Sequence, residues 1–249
     1  MKTIAVFAQK GGTGKTTTVA NLGVALSRQG KRVLLIDNDP QGDLTVHFGQ
    51  PAGDTTMSDV YLGSVNAATA VVNVPAGVDL IPADMNLSGT ETEMARMDGA
   101  HTRLKEALQP LGRKYDYCLI DCPPGLSILS LNALAAANRL LVPMQPEYFA
   151  LYGAAQLTTL IQTINDGINP KLRLNGIVLT MYDRRRKLSR EIEKIVADQY
   201  GAALLQTHVR NNVAVIEAQA AGVDIFTYNK RSNGAQDYTA LALEIIDKF

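Results

Sequence analysis

Gln9-Lys10-Gly11-Gly12-Thr13-Gly14-Lys15-Thr16-Thr17-Thr18 follows the apolar run Ile4–Ala8 and opens a segment of helical periodicity, Thr16–Gln29, that Gly30 closes. The order is strand, glycine-rich turn, helix start. Gly11, Gly12 and Gly14 tolerate positive φ and carry no Cβ, so successive backbone N–H groups can converge on phosphate oxygens at a helix N-terminus. Lys15 is placed to reach the β- and γ-phosphates, and the Thr16 hydroxyl to ligate the Mg²⁺ that accompanies them. This spacing between a buried-type strand and a helix meets the structural condition for a phosphate-binding loop and implies a nucleoside triphosphate as substrate. Lys10, before the first glycine of the cradle, is extra to that requirement. Taken alone, it reads as a surface lysine.

Outward from this turn, apolar clusters recur at Val33–Ile36, Val78–Ile81, Tyr117–Ile120, Leu140–Val142, Ile177–Met181 and Leu204–Val209, and read as strands. Helical periodicity fits Leu126–Ala137, Leu151–Ile164, Leu188–Tyr200 and Ala235–Lys248. Short two-sided apolar strands alternating with helices predict an α/β fold, a three-layer α/β/α arrangement around a mainly parallel, twisted sheet. In such sheets ligands bind at the carboxyl ends of strands, where the glycine-rich turn lies. No Pro-, Gly- or Ser-rich linker, repeat or low-complexity tract divides the chain, so residues 1–249 are expected to form one domain. Gln50–Gly99, punctuated by five glycines, is expected to hold loops and small helices, with Glu91, Glu93, Met94 and Met97 forming an amphipathic surface.

The chain of 249 residues is 46% hydrophobic, enough for a substantial core, and balances 24 Lys and Arg against 24 Asp and Glu. That balance gives no long-range pull toward polyanions, so any nucleic-acid role must rest on a local patch. Cys118 and Cys122 flank an aspartate in a short apolar segment, where burial explains them better than a bridge or metal site. Met1-Lys2-Thr3 runs straight into a strand and no 18-residue apolar run occurs, so a cytoplasmic protein is expected.

Two acids follow the second strand in Ile36-Asp37-Asn38-Asp39-Pro40-Gln41-Gly42. If extension continues through Asn38, Asp37 and Asp39 point to one side, toward the phosphate end of the neighbouring strand. One could orient or deprotonate an attacking water while the other holds the magnesium shell; the alternative is turn or helix capping. Tyr117-Cys118-Leu119-Ile120 ends in Asp121-Cys122-Pro123-Pro124-Gly125, an apolar run closed by an acid, as a magnesium-binding aspartate after a strand requires. The paired prolines stiffen the loop that follows. Ser127 lacks the glycine pattern of a nucleophile elbow and has no visible link to any histidine.

With these motifs in order, the sequence resembles the ParA/Soj family of deviant Walker ATPases, P-loop NTPases of the MinD/ParA superfamily. Further matches are the run Val142 to Leu151, Leu179-Thr180-Met181-Tyr182-Asp183, and Ser232-Asn233-Gly234-Ala235 leading into a helix. The resemblance implies that ATP lies between two subunits of a homodimer, with Lys10 of each reaching the phosphates bound by the other. A cation supplied across an interface stabilises charge developing in phosphoryl transfer, as an arginine finger does, and makes hydrolysis depend on assembly. It also implies that Asp39 activates water, that Gly11, Gly12, Thr13, Gly14, Lys15, Thr16 and Thr17 bind nucleotide, and that Thr16 and Asp121 position Mg²⁺ with support from Asp37.

Proteins of this kind bind DNA non-specifically as ATP dimers and release it after hydrolysis stimulated by a ParB-like partner, so the resemblance implies DNA partition and association with the nucleoid. Arg184, Arg185, Arg186 and Lys187, with Arg190 on the next helix and Lys230 and Arg231 before the last, could face a phosphate backbone. A solvated charged loop is the alternative. The chain departs from the family in Arg210-Asn211-Asn212-Val213-Ala214, where a basic residue expected for DNA contact is Ala214; Arg210 or the arginine cluster would compensate. Arg210 and Asn212 are candidates for the adenine side.

A MinD-like membrane-cycling ATPase shares the cradle and both carboxylates but needs an amphipathic tail. Ala235–Phe249 is instead used by the last helix, with Leu241, Leu243, Ile245 and Ile246 expected on its core face, so no membrane partner is expected. An iron–sulfur scaffold lacks its CxxC pair. A cargo-positioning adaptor that hydrolyses almost nothing sits poorly with an intact Asp39.

Overall fold

Ile4, Ala5, Val6, Leu34, Leu35, Ile36, Leu119 and Ile120 are completely buried, a pattern only a sheet covered on both faces produces. The computed structural model of the chain describes residues 1–50, 53–147 and 150–249, and the backbone alone of residues 150–156. Tyr148 and Phe149 of the Val142 to Leu151 run, and Pro51 and Ala52 of the glycine-punctuated region, lie outside the described residues.

The strands are β1 (Lys2–Val6), β2 (Val33–Asp37), β3 (Val72–Val74), β4 (Val78–Ile81), β5 (Tyr117–Asp121), β6 (Arg139–Met144), β7 (Arg173–Tyr182) and β8 (Leu204–Arg210). They form one sheet in the order β3-β4-β2-β5-β1-β6-β7-β8. Its paired strands run parallel except in the β3–β4 hairpin. The helices are α1 (Lys15–Arg28), α2 (Asp43–His47), α3 (Met57–Leu62), α4 (Asn86–Met94), α5 (Arg103–Ala107), α6 (Ile128–Ala136), α7 (Ala150–Gly167), α8 (Lys187–Tyr200), α9 (Val213–Ala220), α10 (Ile225–Asn229) and α11 (Asn233–Lys248).

Alternation along each strand sorts the core into two layers. Ile4, Leu35 and Leu119 pack with Leu22 and Leu26 of α1 and Leu241 and Ile245 of α11. Ala5, Ile36 and Ile120 pack with residues of α3 through α8, among them Leu87, Leu129, Ile164 and Val196. This is the mainly parallel α/β/α arrangement expected. Gly23 brings α1 close to β2: a Cβ there would lie 2.6 Å from Leu35 Cδ2. The helix that opens at the glycine-rich turn is thereby seated on the sheet, and each large apolar side chain it buries is worth roughly 2 kcal/mol.

Several boundaries differ from the sequence reading. β1 ends at Val6, two residues early, because its pairing with β5 stops where the chain turns toward the glycines. β3 was unexpected; at three residues it carries too little pattern to read, and it is held by antiparallel pairing to β4. Met94 faces the core, while Leu243 is 51% exposed and leaves Leu241 and Ile245 as the buried face of α11. Cys118 and Cys122 are free and buried. Ser127 caps α6, its hydroxyl accepting from the N–H groups of Leu129 at 3.2 Å and Ser130 at 3.4 Å.

Candidate functional site

β1, β2 and β5 end in one row, Asp121 standing opposite Val6 on one side and Asp37 on the other. Beyond Val6 the loop turns with φ 74° at Gly12 and 84° at Gly14, angles that strain any residue with a Cβ. Gly14 is the N-cap of α1 and offers no side-chain cap, so the first N–H groups of α1 have no side chain closing them off. Lys15, the first helical residue, is buried with 7% exposure and forms no ion pair among the described residues. The loop is held from the β6–β7 side of the sheet: Thr180 Oγ1 donates to Thr13 O at 2.8 Å, and Gln145 Nε2 donates to Gly12 O at 3.0 Å. Gln145 also lies 2.6 Å from the sulfur of Met181, a residue held at φ 50°. A left-handed non-glycine residue is costly and is retained only where surroundings hold it.

Asp121 is fully buried, and among the described residues neither carboxylate oxygen makes a well-formed hydrogen bond, Thr16 standing near enough for no more than a partial one. Burial first, and then the charge of Asp37, push its carboxyl well above the usual carboxylate range, while Thr16 and Lys15 pull the other way. Asp37 is equally buried but satisfied: Oδ2 accepts from Thr45 N at 2.8 Å and Thr45 Oγ1 at 2.6 Å. Burial raises its carboxyl to about 6, against the lowering effect of those hydrogen bonds. The extended continuation through Asn38 does not form. β2 stops at Asp37, Asn38 turns inward, and Asp39 sits half-buried in a turn where its Oδ1 accepts from Gln41 N at 3.0 Å. Its other oxygen is left without a hydrogen bond among the described residues. The capping alternative therefore holds for half of the Asp39 carboxylate.

A magnesium ion fits this donor set. A buried carboxylate that the chain leaves unpaired is expected beside a cation, and Thr16 lies within its influence. Among the described residues no group of three or more His, Cys, Asp or Glu side chains could hold a metal by itself. That suits magnesium, which keeps waters and shares its shell with phosphates rather than using an all-protein cage.

The remaining candidates separate by exposure. Lys10 is exposed, and its Nζ lies 2.6 Å from Glu147 Oε2. Arg210 is committed to Asp237: Nη2 lies 2.6 Å from Oδ1, with Nε and the backbone N–H donating as well. Its charge is thus matched within the chain by Asp237. Asn212 caps α9 by accepting from Ala214 N at 2.9 Å. Val213 and Ile216 stand outward there, alongside the polar Glu217 and Gln219.

Arg184, Arg185, Arg186, Lys187 and Arg190 are all exposed where β7 gives way to α8, as are Lys230 and Arg231 before α11. Arg185 grips Asp183 at 3.0 Å and holds that carboxyl down at about 2; Lys187 pairs with Glu191 at 3.4 Å. Arg184, Arg186, Lys230 and Arg231 form no ion pair among the described residues. A groove of about 890 Å³ opens beside the arginine cluster, lined by Arg184, Arg186, His208 and Arg210 and also by the acids Asp183 and Glu193.

Residues 1–174 match the family model described as an AAA domain. The chain is 42% identical over its whole length to a chromosome partitioning protein ParA of Caulobacter vibrioides, covering 95% of that protein. It is 40% identical to the chromosome-partitioning ATPase Soj of Treponema pallidum, over 98% of this chain and 97% of that one. The chain belongs to the ParA/Soj family of P-loop ATPases. A solved structure of Mycobacterium smegmatis, named as cobyrinic acid a,c-diamide synthase with bound ADP and magnesium, superposes with a TM-score of 0.87 at 36% identity, covering 99% of this chain and 94% of that one. The ParA/Soj frame accounts for the loop, the two strand-end aspartates and the topology that brings them together.

Sequence reasoning missed five residues that position these groups. Asn38 accepts from Tyr61 OH at 2.7 Å and donates to Leu129 O at 3.0 Å, tying the end of β2 to α3 and α6. Thr45 links Asp37 to Ala83 N at 3.0 Å. Thr180, Gln145 and Glu147 lie in segments that match the ParA/Soj pattern, but nothing local showed that they meet the glycine-rich loop.

Proposed function

We propose that residues 1–249 act as one ATPase domain that partitions DNA, binding Mg-ATP, assembling as a dimer around it and binding DNA non-specifically in that state. The observation that carries the nucleotide reading is Asp121, buried with neither oxygen in a well-formed hydrogen bond among the described residues, beside an uncapped helix start and a buried Lys15 that forms no ion pair there. The N–H groups of Gly11 through Thr17 and the Lys15 ammonium bind the phosphates. Thr16 and Asp121 hold Mg²⁺ and Asp37 supports them; the ion, when bound, neutralises phosphate charge. Asp39 accepts a proton from water as its oxygen bonds to the γ-phosphorus and the bond to the β-phosphate oxygen breaks, giving ADP and phosphate. Lys10 of each subunit steadies the charge developing on the phosphates held by the other. Asn212 lies on the adenine side, whereas Arg210 acts there only through the backbone that its pairing with Asp237 fixes.

The exposed cations at Arg184, Arg185, Arg186, Lys187, Arg190, Lys230 and Arg231 form the DNA face, and a ParB-like protein stimulates hydrolysis and release. The protein then works in the cytoplasm and on the nucleoid when loaded with ATP. No helix among the described residues is long and apolar enough to cross a membrane, and the buried face of α11 is used by the core. The test is co-sedimentation with DNA in ATP, in ADP and without nucleotide, repeated with anionic lipid vesicles. Pelleting with DNA in ATP alone is expected. ATP-dependent capture by vesicles without capture by DNA would replace this reading with a membrane-cycling one.

A further inference from the structure

The connector between β6 and α7 touches the phosphate loop at two points. Gln145 donates to Gly12 O at 3.0 Å, and Glu147 accepts from Lys10 Nζ at 2.6 Å. Between them the Glu147 N–H donates back to Gln145 O at 2.8 Å, a three-residue turn that fixes the spacing of the two side chains. The connector leaves directly from β6, which pairs with β1 on one side and β7 on the other, so its anchor is the middle of the sheet. Glu147 is therefore placed on Lys10 by the same frame that holds the loop.

We infer that Glu147 is a positioning residue that holds Lys10 within its own chain and yields it only when a second, nucleotide-loaded copy arrives. The inference rests on the role proposed above for Lys10 across the dimer. The Lys10 ammonium makes a short, charge-assisted bond to a single carboxylate. A triphosphate held by a facing subunit carries more negative charge and takes the ammonium in exchange; a diphosphate, lacking the γ-phosphate, competes less well. Both side chains are about half exposed, 57% for Lys10 and 52% for Glu147, so the bond is weak enough to exchange and is screened by salt. Glu147 thus raises the protein concentration needed for assembly, and Gln145 keeps it in register with the glycine that approaches the phosphates.

The experiment measures ATPase rate per chain against chain concentration, with the ATP-dependent dimer fraction followed by sedimentation. The proteins are wild type, Glu147→Gln, Glu147→Asp, Lys10→Ala and the Lys10→Ala/Glu147→Gln double variant. Glu147→Gln should lower the half-saturating chain concentration about 2- to 5-fold at low salt, and the shift should shrink as salt rises. Glu147→Asp, which keeps the charge, should move back toward wild type. A merely structural role would not respond to salt in this way. In the Lys10→Ala background Glu147→Gln should change nothing.

Two results overturn the inference: a Glu147→Gln midpoint equal to wild type, or a shift that persists without Lys10. If Lys10→Ala loses turnover while Glu147→Gln leaves the midpoint in place, the latch fails and the role of Lys10 across the dimer survives. If Lys10→Ala keeps full concentration-dependent turnover, that role itself fails.

Discussion

At the carboxyl end of β5, Asp121 is completely buried with neither oxygen in a well-formed hydrogen bond among the described residues, whereas just past the carboxyl end of β7 Arg185 is 86% exposed and already holds Asp183. Both lie on one edge of one sheet. In the first region a carboxyl has been taken out of water and the pull of Lys15 and Thr16 does not offset its burial, so a partner from outside the chain is expected to matter greatly. In the second, charges stand in water, several are matched locally, and each contributes little alone. The phosphate loop should therefore respond to single substitutions in an all-or-none way, and the basic edge gradually and with salt.

The sharpest way to break this contrast lies at Asp39. Asp39→Ala should lower turnover by about 10²–10⁴-fold through loss of a proton acceptor while sparing nucleotide binding, leaving a long-lived ATP dimer. A variant dimer that dissociates as fast as wild type contradicts the assignment. Asp121→Asn comes next. Magnesium-dependent nucleotide affinity should fall about 100-fold, and without nucleotide the protein should gain on the order of 1 kcal/mol, or about 2–4 °C in Tm, because an unsatisfied carboxylate is gone. A loss of stability in the nucleotide-free variant would show that Asp121 is balanced by the chain after all.

Asp37 gives a smaller, pH-bound effect. Its carboxyl is raised to about 6 from 3.8, so the folded state holds a proton that the unfolded state releases, and stability from this group is present below about pH 4 and lost as pH rises through 6. Comparing unfolding free energies of wild type and Asp37→Asn without nucleotide, the variant should gain on wild type between pH 4 and 6 by on the order of 2 kcal/mol. A gap that does not change with pH removes the effect. The smallest effects belong to the basic edge. Replacing Arg184, Arg185 and Arg186 together should weaken DNA binding and flatten the slope of log affinity against log salt by about 2, with Arg185 alone contributing least because Asp183 already neutralises it. An unchanged slope places the DNA face elsewhere.

The same contrast explains what was legible in the sequence. The phosphate loop is written in consecutive residues because its chemistry is made by consecutive backbone N–H groups, and Asp121 announces itself by closing an apolar run. Residues that act through distant partners leave no local mark. Asn38 is defined by its bond to Leu129, 91 residues away, and Gln145 by its bond to Gly12, 133 residues away. Arg210 reads as a free cation until the fold sets Asp237 against it. Leu243 reads as core until the phase of α11 is fixed by the residues it packs against. The basic edge falls between these cases: its charges are visible, but which of them are already paired is not.

The central claim is that one chain holds half of a catalytic site, with Asp39 acting in its own subunit and Lys10 in the other. Lys10→Ala and Asp39→Ala chains, each inactive, should be mixed before ATP is added. In a mixed dimer the Lys10→Ala subunit keeps Asp39 and receives Lys10 from its partner, so one complete site forms. ATP hydrolysis should return to roughly a quarter of the wild-type rate, since about half the dimers are mixed and each has one working site. A mixture as inactive as its components, although mixed dimers are present, contradicts the account.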